Sequence, residues 1–202
     1  MNIRTQDITG LVLAGGQGQR MGGLDKGLQK YGTEALVAHV VRRLKPQVGA
    51  LMISANRHLT DYRAHADDVI SDAYAGYAGP LAGMHAGLRH CGTRWLLTAP
   101  CDSPFLPDDL ASRLSAALIT HDAQLAYAVT GPHTSPQLHP VFALMSIDVR
   151  DSLDAYLAAG GRKVREWQAS VRAVAVSFPD EQAFRNLNTL AELQAASQDF
   201  MR

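Results

Sequence analysis

The chain has 202 residues, 47% of them hydrophobic, and its 19 cationic side chains balance 19 anionic ones. That is enough apolar material for one well-cored α/β domain, or for one domain with an appendage. The charge balance gives no sign of a long nucleic-acid groove or a membrane-binding surface, so any recognition of an anion is expected to be local.

Residues 9–14 form an apolar run that reads as a buried first strand. It opens into a loop with five glycines in the nine residues from Gly15 to Gly23, followed by Lys26, with Arg20 inside the loop. Glycines let the backbone bend sharply and let a ligand approach bare N–H groups, and the two cations answer negative charge. The combination suits phosphates and points to a nucleotide. It is not a P-loop, because Gly-Lys-Ser/Thr occurs nowhere in the chain. It is not a dinucleotide fingerprint either. Gly16-Gln17-Gly18 begins that pattern, but Met21 stands at the third glycine position, and the next helix starts late, near Thr33.

Residues 34–44 carry Leu36, Val37, Val40, Val41 and Leu44 at helical spacing and stop before Pro46. Strands are expected at 50–54, 68–71 and 95–99, with helices at 80–90 and 110–118. Strands separated by helices imply parallel pairing with right-handed crossovers, and ligands then collect at the carboxyl ends of the strands. Those ends carry the glycine loop, Ser54-Ala55-Asn56, Asp72 and Asp102, four polar groups on one edge. The second half is less regular. Strands are expected at 124–129, 141–145 and 171–178, and helices at 147–159 and 189–196. Cys91 and Cys101 lack metal-type spacing and read as reduced thiols. The first seven residues lack the apolar core of a signal peptide, and no apolar run reaches membrane-span length, so a cytoplasmic protein is expected.

Asp102 is the leading metal candidate. A buried strand delivers its carboxylate to the sheet edge, and hard oxygen ligands suit Mg²⁺, which completes its shell with phosphate and water. Asp72 reads equally as a turn residue and as a ligand contact. Gly79-Pro80-Leu81-Ala82-Gly83 is either a tight helix start or a means of placing backbone N–H groups near a base or phosphate. His139 reads as a structural histidine or as a contact to an acidic substrate. Arg162, with Lys163 and Arg165, reads as a solvated helix face or as a phosphate clamp. Asn186 and Asn188 present two amides on one side of a short extended piece, with Thr189 as a cap for the last helix.

The loop pattern resembles the first motif of the nucleotidyltransferases that act on phosphates and sugar phosphates. The fuller set is Leu13 to Gly16 with Arg20-Met21-Gly22-Gly23-x-Asp25-Lys26-Gly27, then Ala55-Asn56-Arg57, Gly79 to Gly83, Cys101-Asp102-x-Pro104, His139-Pro140 and Asn186-x-Asn188-Thr189. In this order it resembles the molybdenum cofactor guanylyltransferases over nearly the whole chain. The resemblance implies a Rossmann-like, mostly parallel sheet flanked by helices, of nucleotidyltransferase type, with a less regular C-terminal half. It implies one domain over residues 1–202, with residues 8–120 as the nucleotide-binding half and 121–202 as the acceptor-binding half.

The implied activity is transfer of GMP from GTP to molybdopterin-bound molybdenum, with cofactor-synthesis proteins and apo-molybdoenzymes as further partners. Arg20, Lys26 and Asp102 would carry the catalysis, with Mg²⁺ at Asp102. GTP contacts are expected from Leu13, Ala14, Gly15, Gly16, Lys26, Ser54, Asp72, Gly79, Gly83 and Asp102, and acceptor contacts from His139, Arg162, Asn186 and Asn188. Relatives often carry Asn where Ser54 stands; the serine has a shorter reach and one fewer donor, which leaves room for a bridging water. A cytidylyltransferase on a related phosphate acceptor and a non-catalytic nucleotide or cofactor carrier are the alternatives. The intact set of Arg20, Lys26 and Asp102 argues against the carrier.

Overall fold

The computed structural model describes residues 2–16, 24–72 and 79–200, with the side chains of 198–200 excepted. In chain order the strands are β1 (Ile8–Leu13), β2 (Lys30–Tyr31), β3 (Glu34–Ala35), β4 (Ala50–Ser54), β5 (Asp68–Ile70), β6 (Trp95–Pro100), β7 (Leu125–Thr130), β8 (Gln137–Ser146) and β9 (Ala173–Ser177). The helices are α1 (Leu36–Leu44), α2 (Leu59–Arg63), α3 (Pro80–His90), α4 (Leu110–Thr120), α5 (Arg150–Ala158), α6 (Val164–Gln168) and α7 (Leu190–Phe200).

Seven strands form one sheet in the order β5-β4-β1-β6-β8-β7-β9, and β2 and β3 pair as a separate small hairpin. The pairings β5–β4, β4–β1, β1–β6 and β7–β9 are parallel, while β8 runs antiparallel to both its neighbours. This is the mostly parallel, helix-flanked sheet that the sequence predicts. The interior strand β1 is an apolar run because both of its faces are covered.

Side chains alternate between the two faces at the strand period of two. Ile8 and Val12 of β1, Leu51 and Ile53 of β4, and Leu97 and Ala99 of β6 enter a core with α1 and α4. Leu11, Met52 and Leu96 enter the opposite core with α3, α5 and Trp167 of α6. Glycines bring α3 close to the sheet. A Cβ at Gly83 would stand 2.6 Å from Leu13 Cδ2, and one at Gly87 2.5 Å from Leu11 Cδ2. Their i, i+4 spacing puts both on the face that meets β1. A third, smaller core joins Tyr31 and Leu36 to Leu187, Leu193 and Ala196.

Most predicted elements lie within a residue or two of their observed bounds. Three differ. Helix α1 begins at Leu36, because Glu34 and Ala35 pair in the hairpin with Tyr31 and Lys30. Strand β8 begins at Gln137, four residues before its apolar run, and carries His139 and Pro140 inside it. The short helices α2 and α6, of five residues each, are too brief for a periodic signal.

Candidate active site

The carboxyl ends of β1, β4, β5 and β6 lie side by side, and the backbone ladder runs one residue past them. Ala14 N donates to Ser54 O (2.8 Å), Ala55 N to Ile70 O (2.9 Å) and Cys101 N to Leu13 O (3.1 Å). The four loops therefore leave the sheet together. Because β8 is antiparallel, its early residues arrive at this same edge, with Thr98 of β6 opposite Ala143. A cavity of about 680 Å³ opens here.

The first wall is the glycine loop, with Leu13, Ala14, Gly15 and Gly16. Arg20 and the glycines at 18, 22 and 23 lie outside the described residues. Ser54, Asp72, Gly79 and Gly83 form the adjoining wall. The Ser54 hydroxyl is buried and has no hydrogen-bond partner among the described residues. Asp72 is held by a reciprocal pair with Asn56, whose Nδ2 donates to Asp72 Oδ2 (2.8 Å) while Asp72 N donates to Asn56 Oδ1 (3.1 Å). Gly79 precedes α3 with φ +63° and ψ −152°, a backbone open essentially to glycine alone.

Lys26, Asp102 and Asn188 meet on the cavity lining. Lys26 Nζ donates to Asn188 Oδ1 at 2.9 Å and to Asp102 Oδ2 at 3.4 Å. Burial raises the Asp102 carboxyl above its ordinary value, and the Lys26 ammonium works against that rise. A buried carboxylate facing a cavity, with one lysine at salt-bridge distance, is a hard-oxygen donor suited to a cation that arrives with a triphosphate. Among the described residues no group of three or more His, Cys, Asp or Glu side chains could hold a metal ion by itself.

The far wall comes from the second half of the chain. Asn186 and Asn188 line the cavity, and Ser103 Oγ donates to Asn186 Oδ1 at 2.8 Å. Between them Leu187 N donates to Asp102 O at 2.9 Å, which ties the segment to the β6 exit. The β7–β8 register jumps between Tyr127↔Ala143 and Ala128↔His139, so residues 140–142 bulge from β8, and all three line the cavity. His139 lines it too. Its ring stacks on Phe184 (centroids 4.6 Å apart), its Nε2 lies 2.8 Å from Thr130 Oγ1, and burial lowers its pKa below the ordinary value.

The structure thus places on one cavity every predicted site residue that it describes except Arg162. The Arg162 guanidinium donates to the Leu157 and Gly161 carbonyls (3.2 and 2.7 Å), where it ties down the end of α5 away from the cavity lining. Sequence reasoning missed the bulge at 140–142 and the partners Ser103 and Thr130, which carry no motif of their own.

The fold and the cavity are those of a nucleotidyltransferase, with the glycine loop, a lysine and a carboxylate at the strand ends of a mostly parallel sheet. The model of the MobA-like NTP transferase domain matches residues 10–175. Among solved structures, molybdopterin-guanine dinucleotide biosynthesis protein A from Archaeoglobus fulgidus shares the fold, with a TM-score of 0.73 at 22% identity over 96% of this chain and 98% of that one. The 4-diphosphocytidyl-2C-methyl-D-erythritol synthase of Anaerococcus prevotii shares it as well, with a TM-score of 0.76 at 10% identity over 98% of this chain and 97% of that one. Sequence relatives narrow the class. The molybdenum cofactor guanylyltransferase of Cupriavidus taiwanensis is 53% identical over 96% of this chain and 98% of its own, and that of Bordetella pertussis 49% identical over 95% and 98%. The chain belongs to the molybdenum cofactor guanylyltransferase family.

Proposed function

We propose that this protein transfers GMP from GTP to the terminal phosphate of molybdopterin-bound molybdenum cofactor and releases pyrophosphate. The observation that carries the reading is the meeting of Lys26, Asp102 and Asn188 on the cavity that the glycine loop opens. The attacking group is a phosphate oxygen, already anionic, so no side chain has to remove a proton. It forms a new bond to the α-phosphorus in line with the bond that breaks, and pyrophosphate departs with that electron pair.

Catalysis is then positioning and charge neutralisation. Lys26 and Arg20 neutralise the triphosphate, the backbone of Leu13 to Gly16 cradles it, and Ser54, Asp72, Gly79 and Gly83 line the nucleoside end. Asp102 would hold Mg²⁺, which when bound draws charge from the phosphate oxygens. His139, Asn186 and Asn188 line the acceptor end. The chain works as one domain, with residues 8–120 serving the nucleotide and 121–202 the acceptor. Among the described residues no helix is long and apolar enough to cross a membrane.

The test is pyrophosphate release with GTP, CTP and ATP, each with and without molybdopterin-bound molybdenum. Release with GTP that depends on the acceptor is expected. Equal release with CTP would move the assignment to the cytidylyltransferases, and tight GTP binding without release would make the protein a carrier. Asp102→Ala should lower turnover by at least about a hundredfold, the scale of losing one positioned electrostatic group. Near-normal turnover in a folded Asp102→Ala protein would sink the mechanism.

A further inference from the structure

Asp25 directly precedes Lys26 and is buried although it is a carboxylate. Buried carboxylates need a partner, and the partner of Asp25 among the described residues is a neutral group. It is the hydroxyl of Tyr62, which donates to Asp25 Oδ1 from α2. Tyr62 is wholly buried and does not line the cavity. Burial pushes its phenol well above the ordinary tyrosine range, so it stays protonated and remains a donor. The same hydroxyl packs on the far side of Lys26, where a Cβ at Gly27 would stand 2.5 Å from it. Tyr62 therefore touches both neighbours of Lys26 in the chain.

The local backbone is fastened at the same points. Gln29 Nε2 donates to Asp25 O (2.9 Å), and Val37 N donates to Gly27 O (2.9 Å). With Asp25 occupied by a neutral donor, the Lys26 ammonium is left for Asp102 and Asn188. A charge held in place before substrate arrives costs no reorganisation during reaction.

We infer that Tyr62 is a positioning residue for nucleotide transfer, a latch that holds residues 25–27 against the protein body through Asp25 and so aims Lys26 into the cavity. The inference rests on the reading of Lys26 as a triphosphate cation. It is tested with four proteins, namely wild type, Tyr62→Phe, Lys26→Ala and the double variant, followed by kcat/KM for GTP and by thermal unfolding.

Tyr62→Phe removes one oxygen and keeps the ring in the core. It should lower kcat/KM about tenfold in the wild-type background, the scale of a lost hydrogen bond to a charged group. In the Lys26→Ala background it should lower kcat/KM by less than about twofold, with the same change in Tm in both backgrounds. Equal losses in the two backgrounds would make Tyr62 a merely structural residue and overturn the latch, and so would unchanged kcat/KM in Tyr62→Phe alone. If Lys26→Ala itself leaves GTP turnover unchanged, the reading of Lys26 fails and takes the latch with it. Asp25→Asn, which keeps an acceptor oxygen for the hydroxyl, should lose less than about threefold. A larger loss than in Tyr62→Phe would assign the effect to the Asp25 charge and overturn the latch.

Discussion

His139 shows how one side chain can serve packing and site together. Its ring is stacked on Phe184 and set edge-on to Phe142, and its Nε2 lies against the Thr130 hydroxyl, yet it lines the cavity. Burial holds it neutral by lowering its pKa from the ordinary 6.5. The unfolded chain takes up a proton at that ordinary value while the folded one resists it. The stability His139 contributes is therefore complete above pH 6.5 and is lost as the pH falls through its lower folded value. His139→Gln removes that titration. The difference in unfolding midpoint between wild type and His139→Gln should shrink on acidification below pH 6.5, and a pH-independent difference would refute it. Arg162 makes the opposite point. Its residue type and its position after two glycines fit a phosphate clamp, but its guanidinium is spent on one carbonyl in the last turn of α5 and one just past it.

Helix α3 is buried from Leu81 to Leu88, more completely than its three-residue apolar stripe of Leu81, Met84 and Leu88 requires. The excess burial has two causes. Gly83 and Gly87 let the helix lie close on β1, and α5 covers its other side, where His85 pairs with Asp154. At Gly83 the neighbours are the site itself, since a Cβ would meet Leu13 Cδ2 at 2.6 Å and Ser54 Oγ at 2.9 Å. Gly83→Ala gains about 1 kcal/mol of helix propensity and loses about 1–3 kcal/mol to overcrowding. Unfolding by denaturant should therefore show a loss of about 0–2 kcal/mol, while calorimetry should show GTP binding weakened about tenfold, roughly 1.4 kcal/mol.

The β8 bulge works at the same scale. Gln168 Nε2 donates to Pro140 O (2.8 Å) and Thr98 Oγ1 to Val141 O (2.6 Å), so the carbonyls freed from the ladder are answered by side chains of β6 and α6. A proline argues against a strand interior, and the strand expected at 141–145 starts just after Pro140. The bulge is what admits it.

Across the molecule, the cavity is completed by a segment that arrives last in the chain. Leu187 is fully buried in the small core with Tyr31, Leu36, Leu193 and Ala196, while Asn186 and Asn188 on either side of it face the cavity. The alternation is that of an extended chain. Thr189 caps α7 by accepting from Glu192 N (3.1 Å), and Glu192 Oε2 accepts from Thr189 N (3.0 Å) and also from Asn188 N (2.7 Å), a reciprocal cap that fixes the segment just where it leaves Lys26. Leu187→Ala should cost about 2–5 kcal/mol, since it opens a cavity in a core with few other members. The same variant should weaken GTP binding, read by calorimetry, because Asn188 then loses its register against Lys26. A destabilised protein with wild-type GTP affinity would separate the small core from the site.

The sequence by itself determined the mostly parallel sheet, the edge on which the site forms and most of the residues on the cavity, without Leu138 and the bulge at 140–142. Apolar runs at period two and stripes at helical spacing are local signals, and in a parallel sheet the strand ends of a βαβ unit must share one edge. The glycine loop, Asp72 and Asp102 were legible for that reason. What only the tertiary structure decided are the partners. Lys26 meets Asp102 and Asn188, which lie 76 and 162 residues away, and Asp25 is answered by a tyrosine on a five-residue helix that leaves no periodic trace. Such pairings depend on how layers stack and where a strand bulges, and a side chain's environment, unlike its spacing, is set by residues far from it in the chain.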